Sequence, residues 1–220
     1  MHKLQHFKKV IRYIIYFIKE FFLLPKIIKE TKTTQTPVTF KIWFMQRVLG
    51  FNRKAYWPVH FTSSIGNPEN IYSGIDVSPG YSPGCYIQGH GKIFIGDYTQ
   101  IASNVGIISS NHSTTDTREQ LASSVKIGKY CWIGMNSVIL PNVELGDFTT
   151  VGAGSIVTKS FPDGYSIIAG NPSKIIKKLD KFQCKEFKNK YEYNGYISNE
   201  EFLEYQEKFN ILKATNDNNN

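Results

Sequence analysis

The chain has 220 residues, 41% of them hydrophobic, which is enough for one domain with a core and appendages. Its three cysteines, Cys85, Cys131 and Cys184, form no C-x-x-C pair and leave an odd count. We therefore expect no disulfide framework, no metal site and a reduced, cytoplasmic chain. The net charge of +8 arises in residues 1–54, which carry twelve Lys or Arg and two Glu. Without a nucleic-acid motif, this charge predicts no nucleic-acid partner.

Residues 1–56 form a predicted N-terminal helical segment. Residues 10–24 read VIRYIIYFIKEFFLL, with apolar residues at helical spacing and charges that interrupt the run. The run is too short and too charged to span a membrane, and no cleavage site follows it. Two interpretations stay open. The helix packs on its own protein or a partner subunit, or residues 1–30 bind peripherally to the anionic inner face of the membrane.

Aliphatic residues recur every six positions in the middle of the chain. They are Ile95, Ile101, Ile107, then Ile127, Ile133, Ile139, Leu145, Val151 and Val157. The next position is often Gly or Ala, and the fourth position after the aliphatic residue is small or β-branched. Alternating strands would show a period of two, so a period of six predicts a solenoid whose coils each contain three short strands. We place this solenoid at residues 57–179.

The repeat is interrupted twice. A weaker early set loses its phase at Pro83 and Gly89, which predicts an irregular coil at residues 79–93. A polar insert then separates Ile107 from Ile127, and we expect it to leave the solenoid as a loop over residues 109–126. Polar loops on rigid scaffolds commonly carry function.

Three stretches of the sequence resemble one family. They are IGDYTQIASNVGIISSNH (95–112), IGKYCWIGMNSVILPNVELGDFTTVGAGSIVTKSF (127–161) and AGNPSKIIKKL (169–179). The chain resembles the hexapeptide-repeat acyltransferases, in particular the galactoside, maltose, serine and capsular polysaccharide O-acetyltransferases. The resemblance implies a left-handed parallel β-helix, mainly β in class, with helices at both ends. It also implies a homotrimer that binds acetyl-CoA between neighbouring subunits.

The resemblance assigns catalysis to the Asn-His pair at the end of the first stretch. His112 would be the general base that takes the proton from a hydroxyl acceptor as this attacks the thioester. Asn111 lies beside it, and Asp116 is a candidate for orienting the imidazole. A backbone N–H at a coil corner would stabilise the oxyanion. The thioester is already activated, so no metal is required.

The family's coenzyme contacts fall on five residues of the second half of the solenoid: Met135, Ala153, Thr158, Lys174 and Lys177. Ala153 would offer its backbone to the pantetheine amide, and the two lysines would meet the phosphates. The alternative for the lysines is a solvent-exposed helix face.

The acceptor is left open by the sequence. A sugar hydroxyl in surface or capsular polysaccharide synthesis is favoured, with an amino sugar, serine or an antibiotic hydroxyl as alternatives. Two rivals come from other classes. A γ-type carbonic anhydrase would need His60, His90 and His112 to converge on zinc, and a non-catalytic solenoid would serve as a scaffold.

Residues 180–220 form a predicted C-terminal extension. Its aromatic and charged residues from Phe182 to Leu212 predict one or two helices, with a cap at Ser198. We expect these helices to cover the last coil, as terminal caps do in solenoids. The final TNDNNN is expected to be disordered.

Overall fold

The computed structural model describes residues 2–211, with side chains from Phe7 onward except that of Lys9. The tail expected to be disordered lies outside the described residues. Three parallel sheets form the sides of a triangular solenoid, and the six-residue repeat is confirmed. Side A contains β1 (Ser64–Ile65), β3 (Tyr86–Ile87), β6 (Gly106–Ile107), β11 (Val138–Ile139) and β14 (Ile156–Val157). Side B contains β2 (Ile71–Ser73), β4 (Lys92–Ile95), β9 (Ser124–Ile127) and β12 (Glu144–Leu145).

Side C contains β5 (Gln100–Ile101), β10 (Trp132–Ile133), β13 (Thr149–Val151), β15 (Ser166–Gly170) and β16 (Ser173–Lys178). Only β16 runs antiparallel within the three sides of the described solenoid. Equivalent aliphatic residues pair between coils, as in Ile139 with Val157 and Ile133 with Val151. These pairs are 18 residues apart, which is three repeats, and their side chains fill the interior.

The expected irregular coil is present. Ile65 pairs with Ile87 and Ile87 with Ile107, so these two turns take 22 and 20 residues instead of 18. The larger insert before Ile127 leaves the solenoid as a hairpin of β7 (Ser110–His112) and β8 (Gln120–Ala122).

The coil corners need left-handed backbone. At one corner Tyr98, Tyr130, Phe148 and Tyr165 all have positive φ, and their rings stack in one row. Successive ring centroids lie 5.4, 4.9 and 5.2 Å apart. We call these four residues the aromatic ladder. Stacked rings of this kind add to the apolar contact between coils.

Two positions of the repeat carry small residues, for different physical reasons. A Cβ on Gly146 would stand 2.1 Å from the carbonyl oxygen of Pro162 in the next coil, so no side chain fits between the coils. The fourth position after the aliphatic residue is buried, and where it is Ser137 or Thr149 its hydroxyl closes the corner. Thr149 donates to the Gly146 carbonyl at 2.6 Å, and Ser137 donates to Gly134 at the same distance.

The helices lie at the first coil. Helix α1 (His2–Thr31), helix α2 (Phe40–Trp43) and a π-helical turn (Phe44–Val48) precede the solenoid, with a 3₁₀ turn at Pro68–Asn70. The C-terminal extension contains a 3₁₀ turn (Lys181–Gln183), the hairpin of β17 (Tyr193–Asn194) and β18 (Ile197–Ser198), and helix α3 (Asn199–Phe209). Among the described residues, no helix is long and apolar enough to cross a bilayer.

The expectation that the C-terminal helices cover the last coil is wrong. Phe202 and Tyr205 of α3 pack on Tyr56, and Phe202 also meets Tyr72, so α3 covers the first coil. Phe202, Tyr205 and Phe209 of α3 are buried there as part of the hydrophobic core. Ser198 stands at the N-cap position of α3, but its side chain makes no capping hydrogen bond.

Residues 181–192 connect the last coil to the first by running back along the aromatic ladder. Lys181 lies 4.8 Å over the ring of Tyr165, and Tyr130 donates to the carbonyl of Phe187 at 2.9 Å. Tyr98 donates to the carboxylate of Glu192 at 3.0 Å. This return segment is therefore fixed at three of the four rungs of the aromatic ladder.

Replacing Gly146 by Ala should lower the free energy of unfolding by about 2 kcal/mol, because backbone of the next coil must move aside. The matched control is Gly154→Asn. Gly154 has a φ of +69° and open space beside it, and Asn136 occupies the same corner one coil earlier with a φ of 58°. This control should stay within about 0.5 kcal/mol of the parent. Urea unfolding at one fixed protein concentration measures both, and equal losses would contradict the packing explanation.

Candidate active site

The β7–β8 hairpin projects from the solenoid. The base of this hairpin is rigid. The side-chain oxygen of Gln88 accepts hydrogen bonds from the N–H groups of Ser109 and Ser110 at 3.0 and 2.8 Å. Ser109 is fully buried, and its hydroxyl oxygen accepts the Gly91 N–H at 3.0 Å. A side chain two or three residues further along β7 is therefore held by the scaffold.

His112 is that side chain, and it is exposed to solvent. It pairs across the hairpin with Gln120, whose side-chain oxygen lies 2.9 Å from Nδ1 of His90. None of the side-chain hydrogen bonds or ion pairs found among residues 2–211 involves the imidazole of His112. Its imidazole is thus left available for groups outside this subunit.

Asp116 stands at the hairpin tip, where its two carboxylate oxygens bind the guanidinium of Arg118 at 2.9 and 2.6 Å. This pairing lowers the pKa of the Asp116 carboxyl. In the described residues Asp116 makes no hydrogen bond to His112, so an orienting role would need the Arg118 pair to open. That role stays a prediction.

A cleft of about 650 Å³ lies beside the hairpin. Its polar wall is formed by Asn70, His90, Lys92, Asn111 and Asn142, and Leu121 adds an apolar surface. Asn111 faces this cleft, whereas His112, the next residue on β7, is not among its lining residues, as strand alternation requires. Amides, an imidazole and an ammonium group can bind a ligand rich in hydroxyl groups.

The sequence prediction missed His90 and Lys92 as wall residues of this cleft. Both lie at the end of the coil whose departure from the six-residue phase was noted at residues 79–93. Two extra residues between Ile87 and Ile95, relative to a regular repeat, widen the corner beneath the hairpin. That break in phase was the signal that could have identified them.

Three of the coenzyme candidates form a row along one corner. Met135 and Ala153 are 18 residues apart and therefore equivalent in successive coils, and the Met135 carbonyl accepts the Gly154 N–H at 2.8 Å. Lys174 follows two layers further, on β16. It pairs with Ala169 of the intervening strand β15, whose Cβ lies 2.8 Å from where a Gly152 Cβ would stand. The Ala153 N–H donates to no acceptor within the described residues.

Thr158 is exposed and lies apart from that row, directly after strand β14 on side A. The geometry therefore supports Met135, Ala153 and Lys174 as neighbours and does not bring Thr158 to them. Its contact with the coenzyme stays a prediction.

Lys174 and Lys177 lie on strand β16, so the alternative of a solvent-exposed helix face is wrong. Residues three apart on a regular strand point to opposite faces, but a bulge intervenes here. Lys174 pairs with Ala169 and Lys177 with Ile167, and these partners are two apart on β15. The two ammonium groups therefore share one face. Both are exposed, and neither has an ion pair among the residues described.

The structure gives less support to a cysteine nucleophile or to a metal site. Burial raises the pKa of the Cys131 thiol to about 12 and also raises that of Cys85, so neither offers a thiolate nucleophile at neutral pH. Within residues 2–211 no group of three or more His, Cys, Asp or Glu could hold a metal ion. Within the described residues His60, His90 and His112 form no such group, and Nδ1 of His90 lies 2.9 Å from the side-chain oxygen of Gln120.

Residues 124–159 match the family model of the bacterial transferase hexapeptide repeat. A putative lipopolysaccharide biosynthesis O-acetyltransferase of Escherichia coli K12 is 38% identical over 102 residues, 40% of this chain and 52% of that protein. The galactoside O-acetyltransferase of the same strain is 31% identical over 142 residues, 62% of this chain and 66% of that protein. The matched stretch thus spans about half to two thirds of these curated relatives.

Two solved structures are similar over a larger share. A maltose O-acetyltransferase from Clostridium difficile 630 superposes with a TM-score of 0.50 at 26% identity, covering 76% of this chain and 89% of that one. A galactoside acetyltransferase in complex with coenzyme A superposes with a TM-score of 0.52 at 25% identity, covering 78% of this chain and 90% of that one. Its six-residue repeat, its coil geometry and these similarities show a hexapeptide-repeat solenoid with the left-handed parallel β-helix fold of the O-acetyltransferase structures.

Proposed function

We propose that this protein transfers the acetyl group of acetyl-CoA to a hydroxyl of a sugar, in the synthesis of a surface or capsular polysaccharide. The observation that carries the proposal is His112, an unpartnered imidazole held on a rigidly anchored hairpin beside a polar cleft. The relatives support the same class, since they are named as galactoside, maltose and lipopolysaccharide O-acetyltransferases.

The chemistry follows from the proposed base. The acceptor oxygen attacks the thioester carbonyl while His112 takes the hydroxyl proton, and a tetrahedral intermediate forms. A backbone N–H at a coil corner stabilises the oxyanion. Collapse of the intermediate breaks the C–S bond, forms the acetyl ester, and returns the proton from the imidazolium to the sulfur of CoA. No metal or covalent enzyme intermediate is needed.

The donor site is proposed along the corner that holds Met135, Ala153 and Lys174. The Ala153 N–H is available for the pantetheine carbonyl, and the shared face of Lys174 and Lys177 suits the negative phosphates. Lys178 is less available, because it lies 3.8 Å from Asp163. Lysine supplies charge to phosphate without the bidentate fork of arginine.

The hairpin and the lysine face belong to different parts of one subunit, so we propose that each active site forms between neighbouring copies of a homotrimer. His112 of one copy would meet the coenzyme on the corner of the next. The exposed imidazole supports this arrangement, since its partners are not supplied by its own chain.

Replacing His112 by Ala should lower kcat at least about a hundredfold, because the acceptor proton loses its base, while CoA affinity stays near normal. Acetyl-CoA turnover with a panel of sugar acceptors and calorimetric CoA binding measure the two effects. His60→Ala is the matched control, since His60 lies on the first coil beside Thr62. Near-normal turnover of the His112 variant would contradict the assignment.

Replacing both Lys174 and Lys177 by Ala should raise KM for acetyl-CoA about tenfold or more and leave KM for the acceptor unchanged, because only the donor carries phosphates. Lys185→Ala with Lys188→Ala is the control, as these exposed lysines lie on the return segment. An equal rise in both Michaelis constants would place the β16 lysines outside the donor site.

Mixed trimers test the shared site. Co-expressing the His112→Ala chain with the Lys174→Ala/Lys177→Ala chain should restore activity at low acetyl-CoA, because some interfaces then combine an intact His112 with intact lysines. In random trimers about a quarter of the interfaces are intact. Activity no higher than the average of the two parents would show that each site is complete within one chain.

A further inference from the structure

Helix α1 has two apolar faces, and one of them is structural. Leu24 and Ile27 on that face are buried, and Glu20 joins it to the segment after the helix. The Glu20 carboxylate accepts from Nε of Arg47 at 2.8 Å and from the indole N–H of Trp43 at 2.7 Å. The interpretation that the helix packs on its own protein therefore accounts for this side of α1.

The opposite face of α1 is largely exposed to solvent. Ile11, Ile14, Ile15, Ile18, Phe21 and Phe22 are all exposed, and Phe22 is 76% exposed. At 100° per residue these six residues occupy one side of the helix, roughly opposite Leu24 and Ile27. A contiguous exposed apolar stripe of this size marks an interaction surface in most proteins.

The stripe continues onto the next segment of the chain. The ring of Trp43 lies 5.7 Å from Phe21 and 6.0 Å from Phe40, and Phe40 stacks on Phe44 at 6.0 Å. Phe40 and Phe44 are themselves exposed. We call the exposed apolar residues of 7–22 and 40–49 the N-terminal face.

The charges around this face are mainly positive, and the Glu201 carboxylate that α3 brings to it is paired with Lys19 at 2.7 Å. Residues 1–54 contain only two acidic side chains, and both are engaged with other parts of the protein. Glu20 binds Arg47, and Glu30 accepts a hydrogen bond from the hydroxyl of Tyr193. Lys8 and Lys26, in contrast, are exposed. The N-terminal face is thus apolar with a positive border.

An apolar cavity of about 500 Å³ lies between α1 and the first coil. Ile14 and Phe17 of the N-terminal face form part of its wall. The charged residues that line it are four basic ones and two acidic ones: Lys19, Arg47, Arg53, Lys54, Glu20 and Glu201. A hydrocarbon chain could enter between these apolar walls while its anionic end stays at the basic side chains.

We propose that the N-terminal face is a docking surface for an anionic lipid bilayer, with α1 parallel to the membrane plane. Apolar burial and attraction of the lysines to anionic headgroups act together on such a helix. A second copy of the chain fits less well, because two N-terminal faces in contact would oppose like charges. This inference concerns location and does not depend on the acetyl transfer proposed above.

The test is sedimentation of the full-length protein with vesicles of phosphatidylcholine alone or with added phosphatidylglycerol. We expect binding to the anionic vesicles that weakens as salt rises. Phe22→Asp should weaken binding to the anionic vesicles about tenfold or more. In the double variant Lys8→Glu with Lys26→Glu, each reversed charge should weaken this binding about fivefold or more. Thermal unfolding and sedimentation velocity establish that each variant is folded.

Matched controls lie outside the N-terminal face. Phe182 is fully exposed, so Phe182→Asp alters an equally accessible aromatic residue, and Lys185→Glu with Lys188→Glu alters an equal charge. Neither should change vesicle binding. The proposal is overturned if the parent protein ignores anionic vesicles at low salt, or if the controls weaken binding as much as the Phe22 variant. It is also overturned if Phe22→Asp dissociates a larger oligomer of the parent, since a second copy would then cover this face.

Discussion

Stacking of one coil directly on the next is the constraint on which the rest of this structure depends. Backbone hydrogen bonds between equivalent residues hold the coils together, as when Gly128 donates to the carbonyl of Leu145 and Gly146 to that of Phe161. These bonds require a constant separation of the coils, which leaves no room for a side chain at Gly146. The chain must also turn through left-handed backbone at its corners, where aromatic and Asn residues recur. An irregular segment can therefore occur only by leaving the stack.

The hairpin of β7 and β8 is such a departure, and the candidate site follows from it. Because the coils beneath are rigid, Gln88 and Ser109 can fix the base of the hairpin with short hydrogen bonds. The side chains beyond that base are then presented to solvent in a defined place. The same rigidity aligns Met135 and Ala153 along a corner, where an extended ligand can follow the axis of the solenoid. A solenoid thus supplies both a protruding residue and a straight groove.

The solenoid could be predicted from the sequence because its constraint is local and repeats. One aliphatic residue in six fills the interior, and small residues close the corners, so residues such as Ile133 and Ser137 reveal the coil directly. The irregular coil was also visible, as a loss of phase near Pro83. His112 and the lysines were identified by their resemblance to a family motif rather than by any physical pattern.

Contacts between distant segments could not be predicted. Nothing in the spacing of Phe202 or Tyr205 shows that α3 packs on the first coil instead of the last, because either end offers apolar surface. The shared face of Lys174 and Lys177 depends on a bulge in β16, and a single extra residue leaves no periodic signal. The ion pair of Asp116 with Arg118 likewise depends on local turn geometry. It competes with any contact that Asp116 could make to a residue further along the chain.

The return segment has a consequence for the order of folding. During synthesis the first coil leaves the ribosome early, yet its cover, α3, is made after every other coil. The nascent solenoid must therefore carry an open apolar end until residues 181–209 have emerged and travelled back along the aromatic ladder. The far end has no such delay, because β16 folds back on β15 within a few residues. The end of the solenoid that is synthesised first is therefore the last to be covered.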